Sequence, residues 1–363
     1  MTAGTDVAVI GAGIVGLATA YALAEREVPV TVYERGVPGN GQSGGESRIF
    51  RHAHDDPRLI AFACEARDGW RGWEERFGQE LVSRDGVVAI GPAAERRLAL
   101  LRESGVRAHP VGSAGIAQRL PLLASWHGPA MVDEDGGVIR ARAAVQALSA
   151  VVSRALVFDE VLAVRPSAGG TVEVRAGGVT AEHGSVVVCA GRGTAALARG
   201  AGLPLPVRQA AHVRLTYRVR GEPPTRLACL LDGSAGAYGD PLPGNREYAV
   251  GLDETPVHED GSLHDPAALS AAAERTDAYV GRSLPGLEPR PVGSRHCWVT
   301  ELPWSPDGIA VWEAGALVFV AGNNLFKHAP ALGRALARAA LGERLAPVLH
   351  PQAKLGAATA TAR

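Results

Sequence analysis

The sequence predicts an α/β protein: a Rossmann-like dinucleotide-binding domain interleaved with a substrate domain built on a mostly antiparallel sheet. Three observations carry that expectation. The chain opens on a strand, a glycine turn, a helix and a second strand within residues 6–34. Apolar runs at 185–189 and 317–322 have the composition of buried strands and would return to the sheet begun by residues 6–10. From Pro204 onward the pattern changes, and runs such as 213–219 and 248–252 alternate apolar and polar residues between Pro and Gly turns.

In the opening unit, Asp6-Val-Ala-Val-Ile10 is short, apolar and of buried-strand type. Gly11-Ala-Gly13-Ile-Val-Gly16 then turns directly into an amphipathic helix ending near Arg26. Gly11 permits the tight turn, Gly13 lets the backbone approach a pyrophosphate, and Gly16 lets helix and strand pack closely. The helix N-terminus faces the negative charge. A second apolar run, 28–33, stops at Glu34, 18 residues beyond Gly16, where an acid can accept two ribose hydroxyls. Glycines alone are a weak signal; strand, glycines, helix, strand and acid in that order are a strong one. Glu34 by itself admits NAD as readily as FAD.

Residues 35–47, RGVPGNGQSGGES, are too glycine-rich for a regular element. Such a segment can lay successive backbone N–H groups and small hydroxyls against phosphate. It leads into Arg48-Ile-Phe-Arg51-His52. On a helical turn Arg48 and Arg51 would face the same way, two guanidinium forks aimed at one anion such as a carboxylate. Residues 57–78 read as a helix with Leu59, Phe62, Ala66, Trp70 and Trp73 on one side, the tryptophans packing a core. Strand-like chain follows at 81–90, with a turn at Asp85-Gly86. Helices are expected at 93–104 and 141–154 with turn-rich chain between them, and strands at 157–164 and 171–179. A helix at 269–279 and a closing helix at 331–341 complete the pattern, and the chain after Leu349 reads as a frayed tail. The crossings assign 1–85, 140–206 and 295–345 to the dinucleotide-binding domain, 86–139 and 207–294 to the substrate domain, and 346–363 to the tail.

A chain of 363 residues is long enough for two domains with substantial cores. Its net charge of −1 offers no basic field to release counterions from a nucleic acid. Cys64, Cys189, Cys229 and Cys297 lie far apart and none stands in a C-x-x-C pair, which argues against a disulfide framework or a metal site and for a reducing compartment. Strand begins at residue 6, leaving no room for a cleaved signal, and no apolar run approaches the ~18 residues of a membrane helix. The expectation is a cytoplasmic protein with no nucleic-acid or membrane partner.

Further motifs follow the fingerprint in order: Gly44-Gly-Glu-Ser47-Arg48-Ile-x-Arg51-His52, Val186-Val-Val-Cys-Ala-Gly191, Cys297-Trp-Val-Thr300 and Phe326-Lys327-His-Ala-Pro-Ala-Leu-Gly333. Together they resemble the monomeric sarcosine oxidase group, alongside N-methyltryptophan and pipecolate oxidases, within the FAD-dependent D-amino-acid-oxidase superfamily. The resemblance covers nearly the full chain. It implies FAD, with Gly11, Gly13, Gly16 and Glu34 on its ADP half, Val161 meeting the adenine through its backbone, and Ser43, Gly44 and Arg48 along the pyrophosphate and flavin. Arg51 and Lys327 match the pair that clamps a substrate carboxylate over the flavin, and Tyr238 the tyrosine that lines the substrate site. Cys297 matches the cysteine joined through sulfur to the flavin 8α-methyl carbon. A lone Cys is more often an inert buried hydrophobe, but the Cys-x-x-Thr context with Pro-Asp-Gly downstream favours the link. The closing helix, beginning just after Lys327 with Pro330 in its first turn, would aim its positive end at the flavin. The implied activity is oxidation of a C–N bond in a secondary or cyclic, carboxylated amine to an imine by a monomer, with H2O2 formed where O2 is the acceptor.

The sequence also departs from that group. Ala249 falls where the oxidases place the lysine credited with activating O2, and loss of that ammonium removes charge stabilisation for superoxide formation. This opens an alternative, a flavin dehydrogenase or desaturase of a specialised biosynthetic pathway that passes electrons to another acceptor. Asp253 falls where the oxidases keep a histidine. It either pairs with a cationic amine, serves as a base, or is a solvated turn carboxylate.

Overall fold

The computed structural model describes residues 6–252, 255–258 and 262–357. A six-stranded sheet forms around the opening strand Val7–Ile10, which lies parallel between Ser185–Val188 and Val30–Tyr33. Leu317–Gly322 and Leu156–Val157 extend the parallel set on either side, and Ile309–Ala314 adds an antiparallel edge. Val7–Ile10 and Ser185–Val188 are buried along their whole length, which is why both read as unbroken apolar runs. Helices Ile14–Ala24 and Leu325–Ala340 pack on each other, and Pro57–Phe77 packs against the second of them. Pro57–Phe77 has an explicit start and stop: Asp56 accepts from the Arg58 N–H at 2.9 Å, Pro57 opens the first turn, and Gly78 ends the helix at φ 64°. Trp70 and Trp73 lie in the core beneath it, as expected.

The second large sheet has nine strands and is antiparallel but for one pair, Val87–Ile90 beside Cys229–Asp232. At its centre Arg208–Val219 pairs with Leu287–Glu301 on one side and Glu247–Gly251 on the other, and Ala237–Pro241 follows. The alternation of Arg208–Val219 is put to use. Val213, Leu215 and Tyr217 pack into the core with Leu269, Ala272, Tyr279 and Val280 of helix Ala268–Ser283. His212 and Arg214, pointing the other way, reach a cavity. A two-stranded ribbon, Ser47–Phe50 with Gly137–Arg140, and a three-stranded antiparallel sheet, Val161–Pro166, Val172–Ala176 and Val179–His183, complete the architecture.

Several elements differ from their sequence reading. Arg48 and Arg51 do not share a helical turn, because Ser47–Phe50 is an extended strand and alternate residues take opposite faces. The run 157–164 is two strands in two sheets, Leu156–Val157 and Val161–Pro166, divided by a bend at Asp159. The chain between 104 and 141 holds strands Ala108–Pro110, Ala130–Asp133 and Gly137–Arg140 and the helix Ser113–Arg119; each is too short to register a period. The closing helix begins at Leu325 rather than after Pro330, which lies buried inside it. Chain beyond Leu349 does not fray through residue 357: Leu355 is fully buried, its carbonyl accepts from Trp304 Nε1 at 3.2 Å, and the Gly356 N–H donates to Asp56 at 2.8 Å.

Candidate active site

A cavity of about 1050 Å³ opens at the carboxyl ends of Val7–Ile10, Val30–Tyr33, Ser185–Val188 and Leu317–Gly322 and is closed on its other side by the nine-stranded sheet. Ligands of open α/β sheets bind at that end of the strands. Gly11, Gly13, Glu34, Ser43, Arg48, Arg51, Val161, Tyr238, Cys297 and Lys327 all line it. Gly16 and Gly44 do not, and Asp253 lies outside the described residues.

At the glycine turn the backbone leaves the first strand through Gly11 at φ 99°, a left-handed conformation that favours glycine. A Cβ on Gly16 would stand 1.9 Å from the Gly11 carbonyl oxygen, so Gly16 works by close packing beneath the site. Gly13 caps helix Ile14–Ala24 without any side-chain hydrogen bond, and the first turn contains no acid. Its positive end is therefore left for an anion from outside the helix. Ser43 Oγ accepts from the Ile14 N–H at 2.9 Å, which brings the glycine-rich loop onto the same helix end. Glu34 is held by the backbone, accepting from Ala12 N–H at 2.8 Å and Gly36 N–H at 2.9 Å. Bare helix end, small hydroxyl, fixed carboxylate and the adjacent Val161 strand fit the adenine and pyrophosphate part of a dinucleotide.

Arg48 lines the cavity and is tied to the loop. It donates to the carbonyls of Ser47 at 2.7 Å, Gln42 at 3.1 Å and Gly44, and so sets the shape of the loop. Burial, with Arg214 nearby, lowers it from the ordinary arginine range. A Cβ on Gly44 would stand 2.2 Å from Arg295 Nη2, so this glycine admits Arg295 to the loop.

At the far end Arg51 donates to Asp307 Oδ2 at 2.7 Å and to the Ala53 carbonyl, and His54 Nδ1 stands 3.1 Å from the same Asp307 oxygen. Lys327 is 3% exposed, and its carbonyl accepts from Trp70 Nε1 at 2.7 Å, which pins the first turn of the closing helix. Burial and then the Arg51 charge push the Lys327 ammonium well below the usual lysine range. Burial, Lys327 and Arg51 likewise hold His54 well below its ordinary value. Burial works against the Asp307 carboxylate, yet Arg51 and His54 hold it well below the usual carboxylate range. An internal carboxylate thus already sits on Arg51, and beside it burial disfavours the charged form of Lys327.

The nine-stranded sheet supplies the remaining wall. Cys297 carries a free thiol and stands opposite His212 in register. Tyr238 lies edge-on to the His212 ring, with centroids 5.9 Å apart. Burial, with Arg214 and Arg48 nearby, pushes His212 down to about 3, so its ring is neutral. Arg214 and Asp240 form a buried ion pair at 2.6 Å on the same wall. Ala249 is paired with Asp240 and Thr216 and is itself buried and apolar. Sequence reasoning missed His54, His212, Arg214 and Asp240, and named Asp307 only as part of Pro-Asp-Gly. The alternation of 212–217 carried a signal, since a histidine and an arginine occupy its polar phase.

The profile of the DAO family, FAD dependent oxidoreductase, matches residues 6–339 of this chain. Human peroxisomal sarcosine oxidase is 28% identical over 323 residues, covering 82% of this chain and 81% of that protein. Monomeric sarcosine oxidase from an Arthrobacter species is 33% identical over 93 residues, 25% of this chain and 24% of that protein. Among solved structures, NikD, an amino acid oxidase essential for nikkomycin biosynthesis, superposes with a TM-score of 0.82 at 22% identity over 96% of each chain, a likeness of fold.

Proposed function

The chain belongs to the FAD dependent oxidoreductase (DAO) family and is an oxidoreductase of C–N donors, and from that premise we propose that its substrate is a carboxylated secondary or cyclic amine, oxidised at the carbon next to nitrogen. The observation that carries the carboxylate is the meeting of Arg51 and Lys327 around Asp307, a carboxylate already held at the end of a cavity whose other end fits a dinucleotide. An incoming carboxylate would take the place of Asp307 on the Arg51 fork, where two parallel N–H bonds fix its plane. The arriving charge would favour the ammonium form of Lys327, which burial disfavours. With the carboxylate fixed, the amine faces the wall of Tyr238, His212 and Cys297, and its reacting carbon is held in a near-attack position. A neutral His212 leaves the amine free to bind without its proton. FAD, when bound, supplies the hydride acceptor. Glu34, Ser43 and the Gly13 end of the first helix would hold its ADP half, and Cys297 would hold the ring through a thioether.

Ala249 favours a second reading of the acceptor. No ammonium extends from that position, so electrons would leave for a carrier other than O2. An anaerobic flavin-reduction screen over N-methyl, cyclic, D- and L-amino acids tests the substrate class, and bleaching by amines without a carboxylate alone would overturn it. Peroxide formed per substrate oxidised separates oxidase from dehydrogenase. In the same preparation the yellow chromophore should stay with the polypeptide after acid precipitation; flavin found wholly in the supernatant would sink the Cys297 link.

A further inference from the structure

The buried pair of Arg214 and Asp240 is left half-satisfied. Asp240 is 1% exposed and Arg214 7%, and both line the cavity. One Asp240 oxygen takes the Arg214 guanidinium at 2.6 Å, and the guanidinium also donates to the Ser47 carbonyl at 3.1 Å and to Ser47 Oγ at 3.4 Å. Asp240 Oδ2 and Arg214 Nε have no hydrogen-bond partner among the described residues. A buried polar atom left alone is costly, and native structures keep few of them unless a ligand completes the set. Holding the strands together does not account for the pair, since well-packed apolar residues of like volume do that as well or better.

We propose that Asp240 is a substrate-recognition residue, its free oxygen accepting a hydrogen bond from a hydroxyl or amino group on the substrate's side chain. This rests on the reading of the Arg51 end as the carboxylate site. Asp240 and Tyr238 are two apart in one strand and share a face, so the donor would meet the wall that the amine faces. Asp240 is tied through Arg214 to Ser47, four residues along the strand from Arg51, a separation of roughly 13 Å in extended chain. The donor therefore belongs at the far end of a side chain, several bonds from the carboxylate. A carboxylate accepts and does not donate, so a second acid on the substrate finds no partner in the free Asp240 oxygen. An apolar end leaves Asp240 unmet.

Three probes of equal side-chain length separate the possibilities: N-methyl-2-aminoheptanoic acid, α-N-methyl-ε-hydroxynorleucine and α-N-methyllysine. Each is titrated into anaerobic holoenzyme, with binding read by calorimetry and reduction by flavin bleaching. We expect the donor-bearing probes to bind at least about tenfold more tightly than the apolar one, because the apolar end leaves a buried acceptor unpaired. The double variant Arg214→Leu/Asp240→Leu, checked for retained flavin and thermal midpoint, should lose that preference. Asp240→Asn, which keeps the shape should the double variant fail to fold, should weaken the ammonium probe more than the hydroxyl. Equal binding of all three by the unaltered enzyme, or a preference that survives Asp240→Asn undiminished, overturns the proposal. Bleaching without a preference counts against Asp240 alone, and a preference without bleaching counts against amine oxidation alone. Neither binding nor bleaching counts against both.

Discussion

Arg51 and Lys327 come from segments 276 positions apart in the chain and are drawn to one carboxylate, Asp307. Their residue types were legible in the sequence because each stands in a recognisable motif. What Asp307 does to Arg51 was not, because an ion pair between positions 51 and 307 leaves no local pattern. The lowered basicity of Lys327 has a measurable consequence. Burial and Arg51 hold its ammonium well below the usual lysine range, and a substrate carboxylate arriving beside it favours the charged form. Carboxylate binding should therefore favour proton uptake at Lys327, and affinity should fall as pH rises through the titration of that amine. Calorimetric titrations with a carboxylated, non-reducing amine in buffers of different ionisation enthalpy count that proton. A flat pH profile with no uptake, or uptake that persists in Lys327→Met, removes Lys327 from the carboxylate site.

The closing helix shows how an element can be recognised and still misplaced. Its amphipathic face was legible, but Pro330 suggested a first turn because proline is favoured there. In the fold the helix starts at Leu325, and packing of Phe326, Ala329 and Leu332 into the core outweighs the single backbone hydrogen bond that Pro330 cannot make. This earlier start puts Lys327 in the first turn, facing the cavity. The same helix depends on a glycine. A Cβ on Gly333 would lie 2.6 Å from the Ala18 carbonyl carbon in the opening helix, so the two backbones approach as closely as they do only without a side chain. Gly333→Leu should lower stability by about 1–3 kcal/mol or more through overpacking, read as a fall in the thermal midpoint together with weaker flavin retention. An unchanged midpoint would mean that the helices separate freely and do not set the site.

For the whole molecule, the cavity and the packing beside it hold buried bases whose charged forms burial disfavours. Burial first, and then the surrounding cations, hold His54, His328 and Lys327 well below their ordinary values, and His212 at about 3. An unfolded chain lets these histidines titrate near 6.5. As pH falls through that value the unfolded state binds protons that the folded state refuses, and stability falls with it. The denaturant midpoint should be lower at about pH 5.5 than at about pH 7.5, and a midpoint that rises on acidification would contradict the burial of these rings. Among the described residues no helix is long and apolar enough to cross a membrane. The sequence by itself determined the α/β class and the dinucleotide fingerprint, because glycine spacing and strand composition are local and act within a few residues. Its motifs named Arg51, Lys327, Tyr238 and Cys297. Only the tertiary structure decided that Arg48 ties the loop through its carbonyls, that Asp307 occupies Arg51, and that Arg214 and Asp240 share the wall beside Tyr238. Those relations depend on which faces of distant strands meet across the cavity, and a chain read in order carries no record of that.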